Sequence, residues 1–167
     1  STRIIEIIAV RRELAQSITP ATGRAVRVEE DRLLVPGDPA TVGPRVAAWL
    51  KVLARDRLAT ASTRYAGLVG RRYTSLAIRD TRCRWGSCSP DGRLMYSWRL
   101  ILAPPQVLDY VAAHEVAHLV ELNHSPAYWR VVTGICPDWK RHRDWFKANG
   151  STLRAISFPS FARISYL

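Results

Sequence analysis

The sequence predicts an α+β fold, in which short strands and amphipathic helices surround one central, largely buried helix. Three observations predict it: apolar residues recur at helical spacing in some segments, alternate with polar ones in others, and are separated by turns rich in Gly and Pro. The chain has 167 residues, of which 47% are hydrophobic and 23% charged. This balance is typical of a globular protein, and we expect residues 1–167 to form a single domain.

In the first half of the chain the pattern predicts a helix, a hairpin and a second, longer helix. A weak helical period indicates the first helix over residues 4–16. Alternation over residues 23–39, with a Pro- and Gly-containing close, predicts two strands and a turn. Apolar residues at helical spacing over residues 42–65, with Pro44 in the first turn, predict the long amphipathic helix.

In the second half, strands precede a series of helices. The predicted strands cover residues 73–78 and 94–102, with a turn-rich segment at 83–92 between them, and the predicted helices cover residues 106–122, 126–132 and 139–148. Pro104 and Pro105 open the first of these helices, Ser125 caps the second, and Asn149-Gly150 end the third. The first is the most apolar, so we expect it to be the central element.

Composition and charge limit which partners and which compartment the sequence predicts. A net charge of +11 makes the surface attractive to nucleic acid, nucleotides or other phosphates, but the basic residues are scattered, which favours a solvated surface over a dedicated site. No apolar stretch reaches the roughly 20 residues that cross a bilayer, so no membrane partner is expected. The N-terminal segment carries no clear cleavage site, which predicts no signal peptide.

Cysteine usage indicates a reducing compartment. Cys83, Cys88 and Cys136 are odd in number and lack the spacing of paired zinc-binding motifs, so we expect neither a disulfide framework nor thiolate ligands. They are predicted to be buried thiols. A cytoplasmic location fits this best.

The segment His114-Glu115-Val116-Ala117-His118 carries the predicted chemistry. Residues four apart on a helix lie one turn above each other, so His114 and His118 are placed to offer two imidazoles to one metal ion. Glu115 between them is placed to act as a base toward water at that ion. The alternative is an amphipathic helix with two incidental histidines.

A third histidine follows at His124. On a straight helix it would point about 80° away from His114, so the helix must end before it if the three rings are to converge. Asn123 is suited to a left-handed turn, and a new helix starts after Ser125. Three protein ligands and one open position are typical of catalytic rather than structural zinc, so Zn²⁺ is the predicted cofactor.

Two further residues compete for roles near this site. Glu121 would be the third ligand if the helix continued, or an acceptor that orients an imidazole. His142 lies in a basic run of the last predicted helix, which favours a surface position.

Several ordered motifs resemble one family. In chain order they are Arg84-Trp85-Gly86-Ser87-Cys88, Ser97-Trp98-Arg99-Leu100-Ile101-Leu102-Ala103-Pro104-Pro105, Tyr110-Val111 leading into His114 to His118, and Asn123-His124-Ser125-Pro126-Ala127-Tyr128-Trp129. Together they resemble the YgjP-like metallopeptidases, zincin-type proteins related to the SprT-like proteases. The resemblance covers about residues 80–150, with a looser likeness over residues 33–58.

The resemblance implies a zincin-like fold, with a small twisted β-sheet packed against the motif helix and an edge strand beside the cleft. It also implies His114, His118 and His124 as zinc ligands and Glu115 as the general base. Ser97 stands where such proteins often have Asn, which puts a local hydrogen bond in doubt.

The motif Arg84 to Cys88 has two interpretations. A Trp and a Gly in a tight turn are typical of packing, and we favour that interpretation. In the other, the turn forms the rim of the cleft, and Arg84 or Arg99 steadies negative charge that develops on an oxyanion.

These observations predict a zinc-dependent metallohydrolase, first of all a metallopeptidase acting on a peptide or protein. Zinc would lower the pKa of its bound water, Glu115 would take the proton, and the hydroxide would attack a carbonyl. One alternative is a metal-dependent nucleotide pyrophosphatase, since zinc also polarises phosphoryl oxygens. Another is a basic nucleic-acid-associated protein whose metal is structural.

Overall fold

The computed structural model describes residues 19–21, 26–29 and 32–157 of the chain. Within these ranges the chain forms two three-stranded sheets and four α-helices, with two short 3-10 segments between them. The α+β architecture predicted from the sequence is confirmed. The predicted helix over residues 4–16 lies outside the described residues.

The first sheet lies at the N-terminal end of the described chain. It consists of Thr19–Ala21 (β1), Arg27–Glu29 (β2) and Arg32–Pro36 (β3), in the order β1-β3-β2. β2 and β3 pair antiparallel, which confirms the predicted hairpin, whereas β1 pairs parallel with β3 and was not predicted. The parallel partner is non-local, so no turn signal in the sequence marks it.

The long helix α1 covers Val42–Leu68, three residues beyond its predicted end. Its buried residues fall at the three- and four-residue intervals of one helix face: Val46, Leu50, Ala54, Leu58 and Ala61. Arg45 donates to the Pro36 carbonyl, 2.7 Å away, and so ties the start of the helix to β3. This helix forms one wall of the core.

The second sheet is the one that reaches the predicted site. It consists of Ser75–Arg79 (β4), Gly86–Cys88 (β5) and Arg93–Ser97 (β6) in the order β4-β6-β5, with β4 parallel and β5 antiparallel to β6. Gly92, with a φ of 80°, takes the left-handed conformation that the tight turn between β5 and β6 requires. The sequence predicted only a turn where β5 lies, so that prediction was wrong.

The predicted strand over residues 94–102 was right only in its first half. The strand ends at Ser97, and Trp98–Leu102 form a 3-10 segment. The Ser97 hydroxyl accepts a hydrogen bond from the Arg99 N–H, 3.3 Å away, and so caps this segment. Ser97 therefore makes its own local hydrogen bond where relatives were expected to use Asn.

The central helix α2 covers Pro105–Ala117 and is nearly all buried. It contacts α1, β5 and both of the later helices. The predicted end near residue 122 was wrong, because the N–H groups of Leu119 and Val120 bond three residues back, to Val116 and Ala117, and the α-helical pattern is lost after Ala117. The chain thus leaves the helix before His124, as convergence of the three rings requires.

Two helices close the described chain. Helix α3 covers Pro126–Ile135 and is capped by the Ser125 hydroxyl, as predicted. Helix α4 covers Trp139–Ala155 and runs through Asn149 and Gly150, which were predicted to end it. Asn149 bonds the Trp145 carbonyl within the helix, and Gly150 packs against Trp85, where an added Cβ would lie 3.4 Å from the indole. Tertiary packing explains this glycine.

No helix among the described residues has both the length and the apolar character needed to span a membrane. The three cysteines are free: Cys136 is buried as predicted, Cys88 is half-buried, and Cys83 is exposed. The prediction of three buried thiols was therefore wrong for Cys83, which lies in the exposed loop ahead of β5.

Candidate metal centre

The end of α2 and the loop after it bring the three predicted histidines together. His114 and His118 lie one turn apart on the helix end, and His124 approaches from the loop before α3. One ring nitrogen of each histidine lies within 4.8 Å of the corresponding nitrogens of the other two. In the described part of the chain this is the cluster whose donors could hold a metal ion.

The spacing of the ring nitrogens fits a zinc ion. The Nε2 atoms of His114 and His124 are 3.2 Å apart. Tetrahedral zinc with Zn–N distances of about 2.0 to 2.1 Å places two nitrogen ligands about 3.3 Å from each other. The donor set of three imidazoles suits the same ion.

The tautomer of His118 is set by the main chain. Its Nδ1 lies 3.0 Å from the carbonyl oxygen of Glu121, which can only accept a hydrogen bond. Nδ1 therefore carries the proton, and the lone pair of Nε2 is left for a ligand. Glu121 orients an imidazole as one of its predicted roles required, but through its carbonyl oxygen rather than its carboxylate.

The imidazoles of the α2 pair are held in the neutral form. Burial, with smaller effects from His118 and His124, lowers the pKa of His114 to about 4. Burial also lowers the pKa of His118, against the opposing effect of its hydrogen bond to the Glu121 carbonyl. Neutral imidazole is the form that binds metal, so both rings are ready to ligate at neutral pH.

Glu115 follows His114 on α2, and its side chain lies against Gly86 of β5. It is one of few buried charged residues described, with 7% of its surface exposed. Burial raises the pKa of its carboxyl to about 8, and the charge of Arg84 opposes that rise. A carboxyl with a pKa near neutrality is suited to exchange protons.

The first strand residue of β5 explains how the carboxylate is accommodated. A Cβ built on Gly86 would lie 2.7 Å from both Cγ and Oε1 of Glu115. No side chain fits there, so the glycine gives the carboxylate its place. Gly86 belongs to the Arg84 to Cys88 motif, but nothing in the sequence indicates its contact with Glu115.

Family comparison supports the same chemistry. Residues 10–149 match the model of the YgjP-like family, described as a metallopeptidase domain. The chain belongs to this family. The match extends beyond residues 80–150, which contain the motifs that resemble the family.

One solved structure shares the fold of this YgjP-like chain. It is the crystal structure of the metallopeptidase zymogen of Pyrococcus abyssi abylysin, which is 19% identical and superposes with a TM-score of 0.51. The alignment covers 55% of this chain and 93% of that one. At this identity the likeness shows the fold alone. No curated protein matches the chain.

The Arg84 to Cys88 motif of this YgjP-like chain serves packing and also borders the site. Trp85 packs against Phe146, with ring centroids 5.0 Å apart, and the guanidinium of Arg154 lies 4.5 Å above its ring. Trp85 thereby fixes the strand start at Gly86, beside Glu115. The favoured packing interpretation holds for the Trp, while the Gly lies at the site.

The two arginines considered for oxyanion stabilisation have different surroundings. Arg99 binds Asp80 at 2.9 Å and the main-chain carbonyls of Leu153 and Ile156, so its guanidinium is used to hold the end of α4. Arg84 is exposed, and its charge acts on Glu115. Of the two, only Arg84 acts on the site.

Two aromatic residues next to the cluster belong to a sequence motif but had no predicted role. Tyr128 and Trp129, at the start of α3, contact the histidine rings directly. Their signal is position, since they follow His124 by four and five residues, across a predicted helix cap. His142 is half-buried near Tyr110, with ring centroids 6.3 Å apart, and is not one of the clustered histidines.

Proposed function

We propose that the chain is a zinc metallopeptidase in which His114, His118 and His124 hold the metal and Glu115 is the general base. The observation that carries the proposal is the convergence of three imidazoles, with the buried carboxyl group of Glu115 next to His114 in the sequence. The family match supports peptide hydrolysis. The 3.2 Å separation of two ring nitrogens supports a tetrahedral ion.

A zinc ion at such a site supplies a Lewis acid that activates water and polarises a substrate carbonyl. Glu115 accepts the proton from the attacking water and later delivers it to the leaving amine. Its burial against Gly86 leaves the carboxylate little room to turn away, so it stays aimed in one direction. Arg84, exposed on the loop before β5, is placed to stabilise negative charge on the substrate.

An extended peptide has a natural place to bind. Among the described strands β5 pairs on one side only, with β6, and its Gly86 lies against Glu115. A sheet edge binds extended peptides through main-chain hydrogen bonds. We therefore expect the substrate to pair with β5, which sets its scissile bond close to the cluster.

The other two functions considered have less support. The family match favours peptide bonds over the phosphoanhydride of a nucleotide, and neither comparison supports nucleic-acid binding. The basic composition alone does not select a partner.

The deciding experiment supplies the zinc-loaded chain with both substrates in parallel. Newly formed amino groups are measured on an unfolded protein, and released pyrophosphate is measured on nucleoside triphosphates. The proposal predicts amine release that a chelator abolishes. Pyrophosphate release without any amine release would replace it with the nucleotide alternative.

A further inference from the structure

One aromatic ring contacts all three histidines, although it has no part in the chemistry proposed above. Tyr128 stacks on His118, with ring centroids 4.6 Å apart and 26° between the planes. It meets His114 and His124 edge-on, with centroids 5.5 and 4.8 Å away. The three imidazoles thus all contact this one ring.

The position of Tyr128 is fixed at both ends. Its side chain is fully buried, and its hydroxyl donates to the carbonyl oxygen of His114, 2.9 Å away. Its main-chain N–H donates to the Ser125 hydroxyl, 3.2 Å away, within the cap of α3. A buried ring held in this way restricts the side chains that pack on it.

His124 needs a second support because it lies on an exposed loop. Trp129 stacks on its ring, with centroids 5.9 Å apart and 27° between the planes. Trp129 in turn stacks on Trp139 at 4.3 Å, and the Trp139 indole N–H donates to the Thr133 hydroxyl at 3.0 Å. An aromatic stack therefore connects the loop histidine to α4.

We propose that Tyr128 is the positioning residue of the metal cluster and that Trp129, which stacks on His124, braces that ring as well. Together they hold the imidazoles in the ligating arrangement before the ion arrives. Side chains that are already ordered lose less conformational freedom on binding, so the metal binds more tightly. The inference rests on the proposed metal site and adds residues that contact its ligands without being ligands themselves.

The test measures zinc affinity and geometry rather than activity. Tyr128→Leu removes the ring, and Tyr128→Phe removes only the hydroxyl. Val132→Ala, one turn further along α3 and equally buried, removes core volume but no aromatic ring. Dissociation constants come from competition with a chromogenic chelator, and the visible spectrum of the Co²⁺-loaded chain reports the ligand geometry.

We expect Tyr128→Leu to weaken zinc binding about 10- to 100-fold and to change the cobalt spectrum. Tyr128→Phe keeps the ring contacts, so its affinity should stay within about threefold and its spectrum should be unchanged. Val132→Ala should lower the melting temperature yet keep the affinity. Equal affinity in Tyr128→Leu and the unaltered chain, or an equal loss in Val132→Ala, would overturn the proposal.

Trp129→Leu keeps the proposal testable if Tyr128→Leu does not fold. Trp129 is only half-buried, and its loss removes the brace on one ligand. We expect zinc to bind about tenfold more weakly and to dissociate faster. Unchanged binding would contradict the role of Trp129. Failure of the unaltered chain to bind zinc at all would overturn the proposed function as well, so the two failures are distinguishable.

Discussion

The two sides that meet at Glu115 are built in different ways. On the helical side, the end of α2 and the following loop supply every candidate ligand, and the rings are held by aromatic residues of α3 and by the Glu121 carbonyl. On the sheet side, the loop before β5 and the strand itself supply no ligand and instead border the carboxyl group, through Gly86. Metal binding and turnover should therefore respond to substitutions on different sides.

The largest expected effect concerns Glu115, which lies on the helix of the candidate ligands but is proposed to act as the general base rather than as a ligand. Glu115→Gln keeps the shape of the side chain and removes its basicity. We expect turnover of an unfolded protein substrate to fall by about 10³-fold or more while the zinc content is unchanged. Full activity in this variant would exclude Glu115 as the base.

The second prediction concerns the helical side alone. His124→Ala removes one of three ligands. Structural zinc sites with four protein ligands bind zinc with about 10–16 kcal/mol, so each ligand contributes about 3 kcal/mol, or about 100- to 1000-fold in affinity. The affinity for zinc, measured by chelator competition, should fall by that factor. Because His124 is exposed, the metal-free fold should keep its stability. Unchanged affinity would remove His124 from the ligand set.

The third prediction concerns the sheet side. In Gly86→Ala the new Cβ would lie 2.7 Å from the Glu115 side chain, which has to move. A displacement of about 1 Å at a reacting group costs up to about 100-fold in rate, so turnover should fall by about 10- to 100-fold with zinc still bound. A parallel loss of zinc would show that the two sides are not separable.

Gly134→Ala is the matched control for that substitution. Gly134 lies in α3, and a Cβ there meets no atom within 4 Å. Replacing a helical glycine with alanine stabilises by about 0.5–1 kcal/mol, and neither turnover nor zinc affinity should change. A loss of activity in this control as well would mean that Gly86→Ala does not act through Glu115.

The smallest expected effect is on stability and concerns Asp80, which follows β4 and lies away from the site. The hydrogen bond from Arg99 lowers the pKa of Asp80, against a smaller effect of burial. A lowered carboxyl pKa stabilises the fold above the ordinary value of about 3.9, and this contribution is lost as the pH falls through the folded-state pKa. Asp80→Asn should therefore destabilise the chain by about 0.5 kcal/mol at pH 7 and by almost nothing near pH 2.

Urea unfolding of the unaltered protein and of Asp80→Asn, at pH 7 and at pH 2, measures this difference in the free energy of unfolding. If Asp80→Asn lowered the free energy of unfolding equally at pH 7 and at pH 2, the charge of Asp80 would not be what holds Arg99. Zinc content and turnover at pH 7 should be the same in both chains, since Asp80 and Arg99 do not touch the histidines or Glu115.

The helical side could be predicted from sequence because its geometry is mostly local. The four-residue spacing of His114 and His118 fixes their common face, and the residues after His118 indicated that the helix ends before His124. The position of that end was missed because the N–H groups of Leu119 and Val120 bond three residues back, which no Gly or Pro in the segment indicates. The contacts of Tyr128 with the histidines were missed because they depend on where α3 folds back.

The sheet side could not be predicted in the same way because its geometry is non-local. β5 has three residues, too few for an alternating pattern, and it becomes a strand by pairing with β6. The sequence predicts a helix end at Asn149-Gly150, whereas Gly150 lies within α4, where Trp85 in the loop before β5 packs on it. Each of these residues owes its conformation to a partner distant in sequence.

The zinc content of the purified chain, after zinc has been supplied, tests the central claim most directly. Elemental analysis would be made beside His124→Ala and Glu115→Gln. We predict about one zinc per chain, kept in Glu115→Gln and lost from His124→Ala on dialysis against a weak chelator. No zinc in the unaltered chain, or equal retention in His124→Ala, would contradict the assignment of the three histidines as a metal centre.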